Sequence, residues 1–212
     1  MGLESTARSM TVIYVEYISR RPGVALAEFH AGVATGQEGW DASFDDDVLI
    51  WSAARTWRLG PAPEYLGVWF SPRADFDRID DWDRIFRAGH ADIHEQGFRK
   101  VATIDAAGCY RPLGEPIRAR GAIYYAEYFR PGPDPERTAR FFDERDRRHP
   151  ELTLHLLVER IGRLAPEPGG LAVWSIPNFA ALRSIATELD ELSEPMTLVA
   201  AGTYADVGRE IL

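Results

Sequence analysis

The sequence predicts an α+β fold of two fused β-α-β-β-α-β repeats whose sheets pack against each other within one chain. Three observations predict it. RTWRLGPAPEYLGVWFSP (55–72) aligns without a gap on RIGRLAPEPGGLAVWSIP (160–177), with nine identical positions. The match continues outside that stretch: VIYVEYI (12–18) mirrors IYYAEYF (123–129), each followed by Arg-Pro-Gly, and DAAGCYRPLG (105–114) mirrors VAAGTYADVG (199–208), all in the same order. Within each unit, hydrophobic patterns switch between the short alternation of strands and the longer period of helices in one repeated order. The expected division is a disordered lead over 1–10, a first repeat over 11–113, a Pro/Gly/Arg-rich linker over 114–121 and a second repeat over 122–212.

Each element has its own reason. TVIYVEYIS is short and rich in β-branched and aromatic residues, hence a strand. After Pro22-Gly23, VALAEFHAGV carries apolar residues at helical spacing. DVLIWSAARTWRL and EYLGVWF are strands joined across Gly60-Pro61-Ala62-Pro63, a connector short enough to make them a hairpin. Over 74–100, Phe76, Ile79, Trp82, Ile85 and Phe86 form one helical stripe, and VATIDAAGCY closes the unit as a fourth strand. The second half repeats the series, with PERTARFFDERDRR and NFAALRSIATELDELS as its helices. This order is the ferredoxin-like split βαβ unit, in which right-handed crossovers put both helices on one face of a four-stranded antiparallel sheet.

On these residues the chain resembles a tandem fusion of two dimeric α/β-barrel units, packed sheet to sheet, and the resemblance covers nearly its whole length. RRPGVALAEFH (20–30) and FFDERDRRHPEL (141–152) further resemble EthD-like members of that superfamily, whose pattern places a His after the first helix, close to a Pro and a Leu. The first copy has ATGQEGWD where that His would fall, so the resemblance implies a role for it only at His149. The superfamily includes isomerases, cyclases, decarboxylases, cofactor-free monooxygenases and haem enzymes, so it implies a fold and leaves the reaction open.

Composition narrows the function classes. The 212 residues carry a formal net charge of −9, which argues against a nucleic-acid partner, since that needs a basic stripe. No apolar run approaches a membrane span, and a single Cys109 excludes an internal disulfide framework, so a cytoplasmic protein is expected. Dinucleotide, P-loop, nucleophile-elbow and Cys-cluster motifs are absent.

Alternation on the strands selects candidate residues. Tyr14 and Glu16 share a face opposite Val15, and Tyr125 and Glu127 share a face opposite Ala126. Small aliphatics suit a helix-covered face, so Tyr14, Glu16, Tyr125 and Glu127, with Trp69 and Trp174, are expected to line the space between the sheets. A buried carboxyl there would have the raised pKa of a general acid or base. Pairing of Glu16 and Glu127 with Arg55 and Arg160 is the structural alternative. None of the five histidines recurs between halves. His155, opposite Leu154 and Leu156 and aligned with Ile50, is a candidate proton shuttle or an edge residue; His149 suits a helix C-terminus. His30 is expected at the surface. His90 and His94 form an i,i+4 pair, too few ligands for a zinc site, so no metal is expected. Two insertions in the first half, 33–47 and 87–97, are expected to meet at one barrel mouth.

The leading expectation is a cofactor-independent acid–base enzyme, an isomerase or lyase, acting on an aromatic or polyketide-like small molecule, with Glu16, Glu127, His149 and His155 catalytic and Tyr14, Trp69, Tyr125 and Trp174 holding substrate. The alternatives are a haem-binding or oxygen-using barrel and a non-catalytic ligand-binding or structural barrel. A homodimer of the fused barrel is the remaining partner considered.

Overall fold

The computed structural model describes residues 12–43, 48–57, 63–70, 97–115, 123–162, 165–189 and 195–206. The strands are β1 (Ile13–Arg20), β2 (Val48–Trp57), β3 (Tyr65–Phe70), β4 (Ala102–Pro112), β5 (Ile123–Pro131), β6 (Thr153–Arg160), β7 (Gly170–Ile176) and β8 (Met196–Asp206). The helices are α1 (Leu26–Ser43), the single turn α2 (Phe98–Val101), α3 (Pro135–Arg148) and α4 (Leu182–Leu189), the last entered through a 3₁₀ turn at Phe179–Ala181. The helix expected over 74–100 falls mostly outside the described residues, as do the 1–10 lead, most of the 114–121 linker, and His90 and His94. The expected meeting of the two insertions also lies there. No described helix is long and apolar enough to cross a membrane.

All eight strands form one closed antiparallel barrel in the order β1-β3-β2-β8-β5-β7-β6-β4. Each half contributes four neighbours in the same relative order, and the halves join edge to edge. Ala53–Trp57 of β2 pairs with β8, and Tyr110–Pro112 of β4 pairs with β6. The two sheets therefore meet by hydrogen bonding along both edges, which leaves none of the described strands with a free edge. Matching positions carry matching irregularities. The β1/β4 register shifts at Tyr17/Ile18 and the β5/β8 register at Tyr128/Phe129; the β2/β3 register shifts between Leu49 and Trp51 and the β6/β7 register between Leu154 and Leu156.

Local chemistry explains the helices that are described most fully. Asp134 caps α3 by accepting from the Glu136 and Arg137 amides, Pro135 occupies its first turn, and Arg145, Arg147 and Arg148 sit in its last. Helix α1 lies close on α2 because Gly32 has no side chain: a Cβ there would stand 2.3 Å from the Val101 side chain. Asn178 caps the 3₁₀ turn by accepting from Ala181 N.

The wall of the barrel separates distinct cores. Ile13, Val15, Leu66 and Val68 of the first half meet Tyr124, Ala126, Leu171 and Val173 of the second in a cluster that also takes in Tyr110, Tyr128 and Tyr204, which places this set in the lumen. Outside the wall, Phe142 of α3 and Ile185 of α4 cover Tyr125, Phe129, Ala172 and Trp174. In the first half, Phe29 and Val33 of α1 cover Ile18 and Tyr65.

This arrangement reverses the expected faces. Val15 and Ala126 point into the lumen, whereas Tyr14, Glu16, Tyr125, Glu127, Trp69 and Trp174 lie on the outward face of the wall, where α3 and α4 cover Tyr125, Glu127 and Trp174. The reason is geometric: a closed barrel of about eight strands has an interior only wide enough for side chains. The small Val15 and Ala126 leave room there for the Tyr110, Tyr124, Tyr128 and Tyr204 rings, so the wall is turned with its small residues inward.

Candidate functional site

The two glutamates of the first and fifth strands have different surroundings. Glu127 and Arg145 are both 0% exposed; Arg145 Nη1 donates to Glu127 Oε1 at 2.8 Å and to Oε2 at 2.9 Å, and Trp174 Nε1 donates to Oε2 at 3.3 Å. The Arg145 guanidinium also stands over the Trp174 ring at 5.4 Å. Burial pushes the Glu127 carboxyl up, and the Arg145 guanidinium and the Trp174 indole pull it back. The two short Arg145 donors favour the charged carboxylate against that burial. Arg145 Nε lies 3.2 Å from Glu188 of α4, which in turn faces Arg148 and His149.

Glu16 has the matching tryptophan, Trp69 Nε1 donating to its Oε2 at 3.1 Å, but no arginine is paired with it among the described residues. Counted from each Arg-Pro-Gly, the place of Arg145 is held by Gly36. Burial pushes the Glu16 carboxyl up to about 7, partly offset by the Trp69 hydrogen bond. Gly67 leaves room for it, since a Cβ there would come within 3.3 Å of Glu16 Oε2. Among the described residues these glutamates are met by Trp69, Trp174 and Arg145. Arg160 pairs with Glu167 at 2.5 Å instead, and the side chain of Arg55 lies outside the described residues.

The remaining candidates scatter. Tyr14 packs with Val12, Cys109 and Ile161, and Tyr125 sits in the helix-covered cluster with Trp174; burial raises both phenols. His149 caps α3, with its Nε2 3.0 Å from Glu188 Oε1. His155 is 4% exposed, sits where the β6/β7 register shifts, and meets Tyr124 edge-on at 5.5 Å, so it is a buried bulge residue and not a solvated edge. His30 is half-buried, with its Nε2 enclosed and without a hydrogen-bond partner. No described cluster of His, Cys, Asp and Glu is arranged to hold a metal ion.

What the fold does assemble is a cavity of about 600 Å³, to which Tyr17 and Tyr128 of the lumen cluster contribute. Pro63, Glu64, Pro166, Glu167 and Pro168 of the two hairpin turns line it, with Ser19, Asp105, Ala106, Val199 and Ala200 completing the wall. These turns mark it as one mouth of the barrel. Beneath it lies a set of four tyrosines. Tyr17 and Tyr110 hydroxyls are 2.7 Å apart, Tyr128 and Tyr204 hydroxyls are 2.7 Å apart, and the Tyr17 and Tyr128 rings stand 6.0 Å apart. Tyr204 donates to Pro63 O at 3.1 Å, so Tyr128 is the donor to Tyr204. Burial pushes the Tyr17 and Tyr128 phenols well up and Tyr110 to about 12, which keeps all three protonated at neutral pH. None of the residues singled out from sequence lines this cavity. The signal was present, since Tyr17/Tyr128 and Tyr110/Tyr204 recur in both halves and the prolines belong to the repeated hairpin.

Solved structures share this architecture. A mutant chlorite dismutase from Candidatus Nitrospira defluvii, in complex with cyanide, superposes with a TM-score of 0.57 at 9% identity, covering 93% of this chain and 92% of that one. A novel heme-binding protein from Thermus thermophilus superposes with a TM-score of 0.55 at 8% identity over 95% and 92%. A candidate monooxygenase from Lactobacillus acidophilus gives 0.53 at 11% over 93% and 94%. The chain has the dimeric α/β-barrel fold of the chlorite dismutase-like proteins. No family model matches it, and no curated protein sequence does.

Proposed function

We propose that this chain is a small-molecule-binding α/β barrel, built from two fused copies of one unit (11–113 and 122–212), whose ligand site is the mouth cavity. The observation that carries this reading is the cavity itself. About 600 Å³ over a protonated tyrosine floor falls within the usual range of small-molecule sites, roughly 300–1,000 Å³. The duplication is supported by the repeated strand order and by the register shifts at matching positions. The reading does not extend to acid–base catalysis by Glu16 and Glu127: they face away from the lumen, and Glu127 is committed to Arg145.

The neighbours whose descriptions name chlorite dismutase and heme binding make haem the first ligand to test. The described residues do not fit it. A haem needs a slot and an axial ligand. The mouth cavity offers no His, Cys or Met, and its tyrosines are held as hydrogen-bonded phenols. On the helix-covered face of the second half, Trp174, Phe142 and Arg145 are 0% exposed and leave no slot beside His149.

A thermal-shift screen of aromatic small molecules tests the reading, with Ala200→Trp, which fills the cavity, as the control. Ligands that raise the melting temperature of the native protein and not of Ala200→Trp support it. Ligands that stabilise both equally refute it, as does a Soret band with histidine ligation on haemin titration.

A further inference from the structure

Aligning the repeats on the cavity shows where its symmetry is broken. Tyr17 faces its counterpart Tyr128, Ala106 answers to Ala200, Pro61 to Pro166 and Pro63 to Pro168. The exceptions are the charged positions: Asp105 aligns with Val199, Glu64 with Gly169, and Glu167 with Ala62. The described lining therefore has a symmetric, neutral frame carrying three carboxylates and no cation. Asp105 accepts from the Ser19 hydroxyl, Glu64 Oε2 accepts from Arg20 N at 2.9 Å, and Glu167 shares its charge with Arg160 outside the lining. Tyr17 and Tyr128, their rings 6.0 Å apart and tilted by 56°, line the cavity below that rim, and prolines with Val199 supply apolar walls.

We infer that the mouth cavity selects an organic cation with a flat apolar body, an arylalkylamine or arylamidine, with Tyr17 and Tyr128 under the body and Asp105 beside the charge. Two effects act together. A cation over a phenol face is attracted by the ring quadrupole, and more strongly once desolvated. A cleft lined by one sign of charge raises the local concentration of the opposite one. An anion meets repulsion at every charged group of the lining. This inference rests on the proposed ligand site, and the test separates the two.

The probes are 1-naphthylmethylammonium, the neutral 1-naphthalenemethanol and the anionic 1-naphthoate, titrated into isotopically labelled full-length protein while the Tyr128, Ala106 and Ala200 amides are followed by NMR. The cation is expected to bind about tenfold more tightly than the alcohol, and the anion most weakly. Asp105→Asn is expected to remove most of the preference. Asp143→Asn, an equal loss of charge on the exposed face of α3, is expected to leave it intact. Equal binding of cation and alcohol, or a preference unchanged by Asp105→Asn, overturns the inference and leaves the ligand site standing. Failure of all three probes to move the cavity amides overturns both.

Discussion

Replacing either buried glutamate by glutamine is expected to change stability in opposite directions, because among the described residues only Glu127 has a buried cation. Glu16 is 9% exposed and its carboxyl is raised from the ordinary 4.5 to about 7 by burial. In the unfolded chain the same group releases its proton near pH 4.5. Between those values the folded state holds a proton that the unfolded state has lost, so stability is full below about 4.5 and falls as pH rises towards 7. At about 1.4 kcal/mol per pH unit the loss reaches about 3 kcal/mol and is constant above about pH 7. Glu16→Gln is neutral at every pH and keeps an oxygen for Trp69 Nε1. It should be more stable than the native protein by up to about 3 kcal/mol at about pH 8 and equal to it near pH 4. Glu127→Gln instead leaves the buried Arg145 guanidinium with only the partly exposed Glu188 as counter-charge, which costs up to about 3–5 kcal/mol at neutral pH. Equilibrium urea unfolding at about pH 4 and pH 8, with slopes compared to confirm a common two-state transition, measures both. The reasoning is refuted by a Glu16→Gln variant less stable than native at the higher pH, or by one whose advantage is the same at both pH values.

Three further outcomes follow from the geometry. Tyr128→Phe removes the hydroxyl that donates to Tyr204 at 2.7 Å and should cost about 1 kcal/mol, read as a fall of roughly 2–4 °C in melting temperature. Asp134→Ala leaves the Glu136 and Arg137 amides without their side-chain acceptor and should also cost about 1 kcal/mol by urea unfolding, whereas Asp134→Asn should restore most of it. Ala126→Leu overfills the lumen between Val15 and its neighbours and should cost about 1–3 kcal/mol, measured the same way; no loss would mean that Ala126 does not face the packed interior.

Much of the fold was legible because local and global signals agree. Helix 135–148 has the expected bounds: a capping Asp, a Pro in the first turn and a run of arginines at the end all point the same way. The hairpins were set by Pro-rich connectors between β-branched runs. The helix at 24–33 was extended only by the structure, to Ser43, because Gly32, Gly36 and Gly39 weaken the periodic signal. The site was harder to read, and for one reason. Alternation says that Glu16 and Tyr17 face opposite ways, but it does not say which way is inward. That choice depends on barrel closure through β2–β8 and β4–β6, a long-range property that no local pattern carries. Reversing it moves every candidate carboxylate out of the lumen and brings Tyr17 and Tyr128 in.

The repeat also explains why identical positions mislead. A residue kept in both halves satisfies a need that both halves have: Trp69 and Trp174 each donate to a buried glutamate, and Pro63 and Pro168 each close a turn at the mouth. A single ligand lying across a pseudo-twofold axis has no such symmetry unless it is itself symmetric. Its charged group must be met by residues that one half has and the other lacks. Asp105 against Val199 and Glu64 against Gly169 are such differences that put charge on one half of the mouth, and Glu167 against Ala62 puts charge on the other, where Arg160 pairs with it. Arg145 against Gly36 is another, but it faces the helices, where it fixes α3 and α4 through Glu127 and Glu188. The asymmetry under the helices thus serves folding, and the asymmetry at the mouth is the one placed to orient a ligand.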